Sequence, residues 1–354
     1  MIWSFNRFGS MDDILIRLIL FILSNCLIRS KKVSPFFFLR KRNRESHDGR
    51  TTIPHELVLV HSQTKLSLNP TVCACVPCRD SAISLPDVLN SILQQTQPTK
   101  RTILIDDGSR DNSREIAEKK GFKVIRNPSS QGRGQARKMA VDACKEEFLL
   151  FCDSTNVLPS DFLARAMTHF VDDKVAAVSG KIANHSSQRG IAAKWRGRHL
   201  FKEQHDFGKI PKETKNLTTY GTLMRTQSII EVGNFDSSLK HSEDQELGRR
   251  LTEAGYRIIG DPELTVYSIR EESWHSVLER YWRWYGGVEE SISLSDYVHA
   301  IRSSINPMTI SDLRNGDLLV AILSLYCPHY GFIRHLIRKR MGRAQRPKFT
   351  SSRN

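Results

Sequence analysis

"RTILIDDGSRDNSREIAEKKGFKVIRN", residues 101–127, reads as a strand, a turn, a helix and a second strand in direct succession. The apolar run Thr102–Ile105 is too short for a helix and stops on two acids and a Gly-Ser turn. "DNSREIAEKKG" then has helix-forming composition and closes on Gly121, after which "FKVIRN" is strand-like again. Two strands joined by such a helix run parallel, because a crossover returns the chain to the same end of the sheet.

The same alternation extends on both sides. Upstream, "TVCACVP" (71–77) is strand-like, and "SLPDVLNSILQQT" follows with Ser84 as N-cap, Pro86 in the first turn and Leu85, Val88, Leu89, Ile92 and Leu93 at helical spacing. Downstream come the helix "GQARKMAVDACKE", the strand "EFLLFCD" and the helix "SDFLARAMTHFV". The class is therefore α/β, a mostly parallel twisted sheet flanked by helices. Ligands of such sheets bind beyond the carboxyl ends of the strands, where Asp80, Asp106, Asp107 and Asp153 fall. After "AAVSGKI" (176–182), residues 184–217 are basic and polar with no readable period. Order returns with "TTYGTLMR", the acidic helix "HSEDQELGRRLTEAGY", the strand "RIIGDPELTVYS" and the aromatic, basic helix "ESWHSVLERYWRWYGG".

The net charge of +15 over 354 residues looks at first like a nucleic-acid signature, but it sits at the ends. Residues 1–54 carry ten Lys/Arg against four Asp/Glu, residues 328–354 carry eight against none, and the middle is left with 35 against 34. A neutral body with basic tails argues against a nucleic-acid groove and suits an anionic membrane surface. "ILIRLILFILSNCLI" (14–28) falls short of the roughly 20 residues that span a bilayer. Its polar stripe of Asp13, Arg17, Ser24 and Asn25 fits an in-plane amphipathic helix better than a spanning or cleaved leader. "DLLVAILSLY" (317–326), before Pro328 and the basic tail, is either a second such element or a buried core helix. The seven cysteines form no even framework; Cys73 and Cys75 alternate along a strand and read as small buried hydrophobes in a reducing compartment.

"VPCRDS", "LPDVLNSILQQTQP", "ILIDDGSRDNS", "NPSSQGRGQARKMAV", "FLLFCDSTNVLPSDFL", "GNFD", "SEDQELGRRLTEAGYRI" and "RYWRW" follow one another over residues 70–287. Their order and spacing resemble those of the inverting family 2 glycosyltransferases. The resemblance implies a GT-A-type nucleotide-diphospho-sugar transferase fold. It assigns donor binding to Pro77, Asp80, Asp106, Asp107, Gly132, Arg137 and Asp153, and catalysis to Asp244 as the base, with Glu243 beside it and Arg283 facing the leaving diphosphate. Trp284 and Arg280 of "RYWRW" fall to the acceptor site.

Two departures from the family pattern bear on the metal. The family's Asp-x-Asp, whose last acid holds a divalent cation on the diphosphate, reads Asp153-Ser154-Thr155 here, and a later His is replaced by Ser268. Mg²⁺ or Mn²⁺ is left with Asp153, helped by Asn156, or else Arg133, Arg137, Lys138 and Arg283 take over its charge. The expected activity is non-processive transfer of a sugar, from a UDP-sugar before other nucleotide donors, to a hydroxyl of a glycan or lipid-linked acceptor in cell-surface polysaccharide or glycoconjugate synthesis. The expected location is the cytoplasmic membrane face, peripheral or monotopic. A catalytically silent donor-binding or scaffolding protein is the alternative. The expected organisation is an N-terminal membrane-associating segment (1–54), the transferase domain (55–290) and a C-terminal apolar helix with its basic tail (291–354).

Overall fold

The computed structural model describes residues 69–239, 242–285 and 293–344, with the side chains of 282–285 and 338–344 left out. The 1–54 segment and the end of the basic tail lie outside the described residues.

The opening stretch folds as read: β2 (Arg101–Asp106), α2 (Ser113–Lys119) and β3 (Lys123–Arg126), with β2 and β3 parallel. Around it stand β1 (Val72–Cys78), α1 (Leu85–Leu93), α3 (Arg133–Ala143), β4 (Phe148–Cys152), the two-residue β5 (Asn156–Val157) and α4 (Phe162–Met167). The chain continues through β6 (Val175–Asn184), α5 (Ile191–His199), β7 (Lys212–Glu213), β8 (Gly221–Arg225), α6 (Thr226–Glu231), α7 (Glu243–Glu253) and β9 (Arg257–Ser268). One sheet takes all nine strands in the order β3-β2-β1-β4-β8-β6-β9-β5, with β7 on β9. β1, β2, β3 and β4 run parallel, β8 enters antiparallel between β4 and β6, and β6 and β9 are parallel again. This is the mostly parallel, helix-flanked α/β architecture expected from the sequence.

Alternation along β1 explains its cysteines. Val72, Ala74, Val76 and Cys78 face one core with Leu85, Val88, Leu89 and Ile92 of α1 and Phe162, Leu163 and Ala166 of α4. Cys73 and Cys75 face the other core with Ala136, Ala140 and Val141 of α3 and Leu247 and Leu251 of α7. Burial pushes the Cys75 and Cys152 thiols far up, so they act as apolar packing. Pro262 sits inside β9 where the β6 register jumps from Gly180↔Asp261 to Lys181↔Thr265. The bulge presses Leu264 O onto Gly180, leaving no room for a Cβ there.

A third core belongs to the C-terminal helices: α8 (Trp274–Tyr285), α9 (Leu294–Ser303), α10 (Ile310–Arg314) and α11 (Leu318–Ala344). Trp195, Val277, Leu278, Tyr281, Met308, Val320, Leu323 and Cys327 are buried together there. Residues 317–326 contribute to a core helix through buried Val320 and Leu323, while Leu318, Leu319 and Ile322 are exposed. Helix α11 does not stop at Pro328. A proline has no N–H for the carbonyl four residues back, and that carbonyl, Ser324 O, instead accepts the Ser304 hydroxyl at 2.5 Å.

The unreadable stretch 184–217 holds α5, buried on more than one side. Trp195 Nε1 donates to Ser324 Oγ at 2.9 Å, Arg198 Nη1 to Asp312 Oδ1 at 2.5 Å, and Lys194 Nζ to Asp317 Oδ1 at 2.7 Å. On another side Arg196 donates through Nε to Asn184 Oδ1 at 2.8 Å and through Nη1 to Glu272 Oε1 at 3.0 Å.

Candidate active site

The carboxyl ends of β1, β2 and β4 meet along one edge, and hydrogen bonds tie their loops together. Ser81 Oγ lies 2.8 Å from Ser154 Oγ, Ser84 Oγ donates to Ser154 O at 2.7 Å, and Arg110 N donates to Asp80 Oδ1 at 2.8 Å. Pro77 lies where the β1–β4 ladder has already ended, at Cys75↔Phe151, so its missing N–H breaks no bond on that side.

Asp106 and Asp107 face inward. Asp106, 1% exposed, accepts Ser109 N through Oδ1 at 2.8 Å and lies 3.4 Å from Arg126 Nε through Oδ2. Asp107 accepts Asn127 Nδ2 and Gln131 N on one oxygen, and Ser130 Oγ and Gly132 N on the other. Burial raises its pKa, but these four bonds outweigh burial and hold the carboxyl below the ordinary aspartate range. Asp107 therefore fixes the loop that opens α3 at Gly132. Gly134 in that first turn abuts Asp236 O and Leu239 O, a contact no side chain would permit.

Arg137 joins the two halves of the site. It is 4% exposed, and its guanidinium donates to Glu243 at the start of α7 and to Asp153 Oδ1 at 3.2 Å. Glu243, 2% exposed, is committed to that pair. Asp244 is partly exposed and, among the described residues, accepts only its neighbour's N–H, from Gln245 at 2.9 Å. The two adjacent acids thus differ: Glu243 is buried in an ion pair, and Asp244 is partly exposed. Asp80 and Ser242, non-glycine residues with φ of 49° and 59°, stand in the left-handed region at this edge, each at a cost of about 1–3 kcal/mol.

Sequence reasoning missed Tyr220. Its carbonyl accepts Asp153 N at 3.4 Å and Asn156 Nδ2 at 2.9 Å, and its hydroxyl donates to Gly180 O at 2.8 Å. Burial, reinforced by Asp244 and Asp153, pushes its phenol above the usual range. A tyrosine before a glycine strand gives no sequence signal for this. Of the counter-cations considered from sequence, Lys138 is paired with Asp142 at 2.6 Å, and the Arg283 and Trp284 side chains lie outside the described residues. Arg280 contacts Glu272 Oε1 at 2.6 Å.

Residues 73–233 match the family described as Glycosyl transferase family 2. Over these residues the chain is similar to a family 2 glycosyltransferase domain. It is 27% identical over 197 residues to the pre-mycofactocin glycosyltransferase of Mycobacterium tuberculosis, covering 54% of this chain and 41% of that protein. The chain thus spans less than half the length of that relative. It is 25% identical over 271 residues to the succinoglycan biosynthesis protein ExoA of Rhizobium meliloti, covering 70% of this chain and 77% of that one. Among solved structures, S. aureus TarS 1–349 in complex with UDP-GlcNAc aligns at a TM-score of 0.48 with 21% identity, covering 66% of each chain.

This edge offers a poor fit for a hard divalent cation, which prefers several carboxylate or carbonyl oxygens. Asp153 spends one oxygen on Arg137, Thr155 and Ser268 are neutral, and the Asn156 side chain is buried against Tyr220 O. Arg137 Nε is a buried N–H with no partner among the described residues, a donor where a cation needs acceptors. Away from this edge, ligand atoms of Cys73, Cys144 and Glu146 lie within 4.8 Å of one another, near the starts of β1 and β4. Glu146 there is neutralised by Arg101 at 3.3 Å.

Proposed function

We propose that the protein transfers one sugar from a nucleotide-sugar donor, a UDP-sugar first, to a hydroxyl of a glycan or lipid-linked acceptor with inversion. The product belongs to cell-surface polysaccharide or glycoconjugate synthesis, and transfer is non-processive. The observation that carries this reading is the bridge Asp153–Arg137–Glu243, which sets partly exposed Asp244 beside the strand ends.

In this reading Asp244 takes the acceptor hydroxyl's proton while that oxygen attacks the anomeric carbon and the sugar–diphosphate bond breaks on the opposite face. Asp80, the loop held by Asp107, and the Asp153 edge receive the nucleotide. Arg283 and Trp284 of α8 serve the leaving group and the acceptor, as their family element implies. The exposed Leu318, Leu319 and Ile322, with the basic chain ends, rest the enzyme on the cytoplasmic membrane face. Among the described residues no helix is long and apolar enough to cross a membrane.

Nucleoside diphosphate release from candidate donors tests the proposal. Asp244→Asn is expected to lower turnover by about 10²–10⁴-fold while leaving donor binding within a few-fold, the range for removal of a general base. Donor binding without turnover by the native protein on any acceptor supports the silent binding protein instead.

A further inference from the structure

We infer that the donor's diphosphate is neutralised by guanidinium groups, Arg270 foremost, and not by a divalent cation on Asp153. This rests on the donor-site reading above.

The negative half of the argument is the donor set. One carboxylate oxygen remains at Asp153 once Arg137 has taken the other, and the family's two further ligand positions hold Thr155 and Ser268. A cation placed there would also face the guanidinium already on the same carboxylate, and like charges repel.

The positive half lies two residues past Ser268. Ile269 N donates to Thr155 O at 2.9 Å, which fixes the exit of β9 against the Asp153 loop. The next residue, Arg270, is half-exposed, and its carbonyl accepts Arg196 Nη1 at 2.9 Å, so its backbone is held. Its side chain is anchored loosely, Nε to Glu272 Oε1 at 3.6 Å. That same oxygen also serves Arg196 at 3.0 Å and Arg280 at 2.6 Å, while the other oxygen accepts Ser276 Oγ. Three guanidiniums on one carboxylate oxygen leave Arg270, the most exposed and most distant of the three, the one best placed to turn to an incoming anion. A guanidinium fork matches two phosphate oxygens at once.

The test is calorimetric titration of the full chain with UDP and with GDP, in EDTA and in Mn²⁺. Affinity for the bound nucleotide is expected to differ by less than about twofold between the two buffers, and Arg270→Ala to weaken it about tenfold in EDTA, the scale of one charge-assisted hydrogen bond. Arg270→Lys, which keeps the charge, should recover part of the loss. Thr155→Asp should create a Mn²⁺ response of about tenfold by restoring the second acid. A native protein that loses about tenfold in EDTA and regains it with Mn²⁺, or an Arg270→Ala protein that binds as tightly as the native one, overturns the inference and leaves the donor-site reading standing. Absence of binding by either nucleotide in both buffers overturns both.

Discussion

Arg137 shows how one side chain sets the chemistry of its neighbours. A buried carboxylate without a counter-charge is strongly disfavoured, so Arg137→Met should strand Glu243 and cost about 3–5 kcal/mol, read as a lower midpoint in urea unfolding. Adding Glu243→Gln to that variant should return part of the loss, because the uncompensated charge is gone; no recovery would show that Glu243 does not depend on Arg137. At this scale the sequence exposed the acids well. Asp153, Glu243 and Asp244 stood out because motif order placed them at a strand end and a helix start. The bridge between them was not legible, since it joins residues 106 apart in the chain. Nor was the inward turn of Asp107, because a strand-end acid reads the same whether it meets a ligand or the N–H groups of its own loop.

The elements from β1 to β6, apart from the two-residue β5, were legible because short apolar strands, buried on both faces, alternate with helices of helical spacing. Helix α5 was not. Ala192, Ala193, Trp195, Arg196, Gly197 and His199 are all buried, so no stripe of polar residues marks a solvent face, and its charges are spent on partners far along the chain as well as on Asn184. A buried histidine makes the C-terminal helices sensitive to acid. His329 is buried, with Tyr297 Oη 2.7 Å from its Nδ1, and burial holds its pKa below the ordinary 6.5. A depressed pKa means the folded state binds protons less readily than the unfolded one. Its contribution is therefore complete above 6.5, declines as pH falls below that value and is gone once pH passes its folded value. Emission from Trp195, fully buried in this layer, should shift to the red on acidification from neutral pH, and His329→Phe should blunt the shift. An identical acid response in both proteins would remove His329 as the cause.

For the whole molecule, the placement of charge matters more than its total. The described body presents Leu318, Leu319, Ile322, Leu336 and Ile337 at the surface of α11, and the basic ends of the chain flank it in sequence. Flotation with vesicles containing anionic lipid should recover the full chain in the vesicle fraction, less so at high salt, since each surface Lys or Arg contributes about 1 kcal/mol within a Debye length. Deleting residues 1–54 and 345–354 should weaken flotation while leaving UDP binding intact; undiminished flotation would refute a role for the ends. The shorter deletion is dictated by α11, whose buried Cys327 and His329 belong to the fold and not to a tail.

Helix α5 also sets a timetable. Its partners Asp312, Asp317 and Ser324 are encoded 113 to 129 residues after the side chains they receive. At about 5–20 residues per second of synthesis, Trp195 and Arg198 wait on the order of 6–25 seconds on the growing chain before these hydrogen-bond partners exist. The nascent sheet is complete by Ser268, yet the layer that holds α5 is finished only when α10 and α11 have been made.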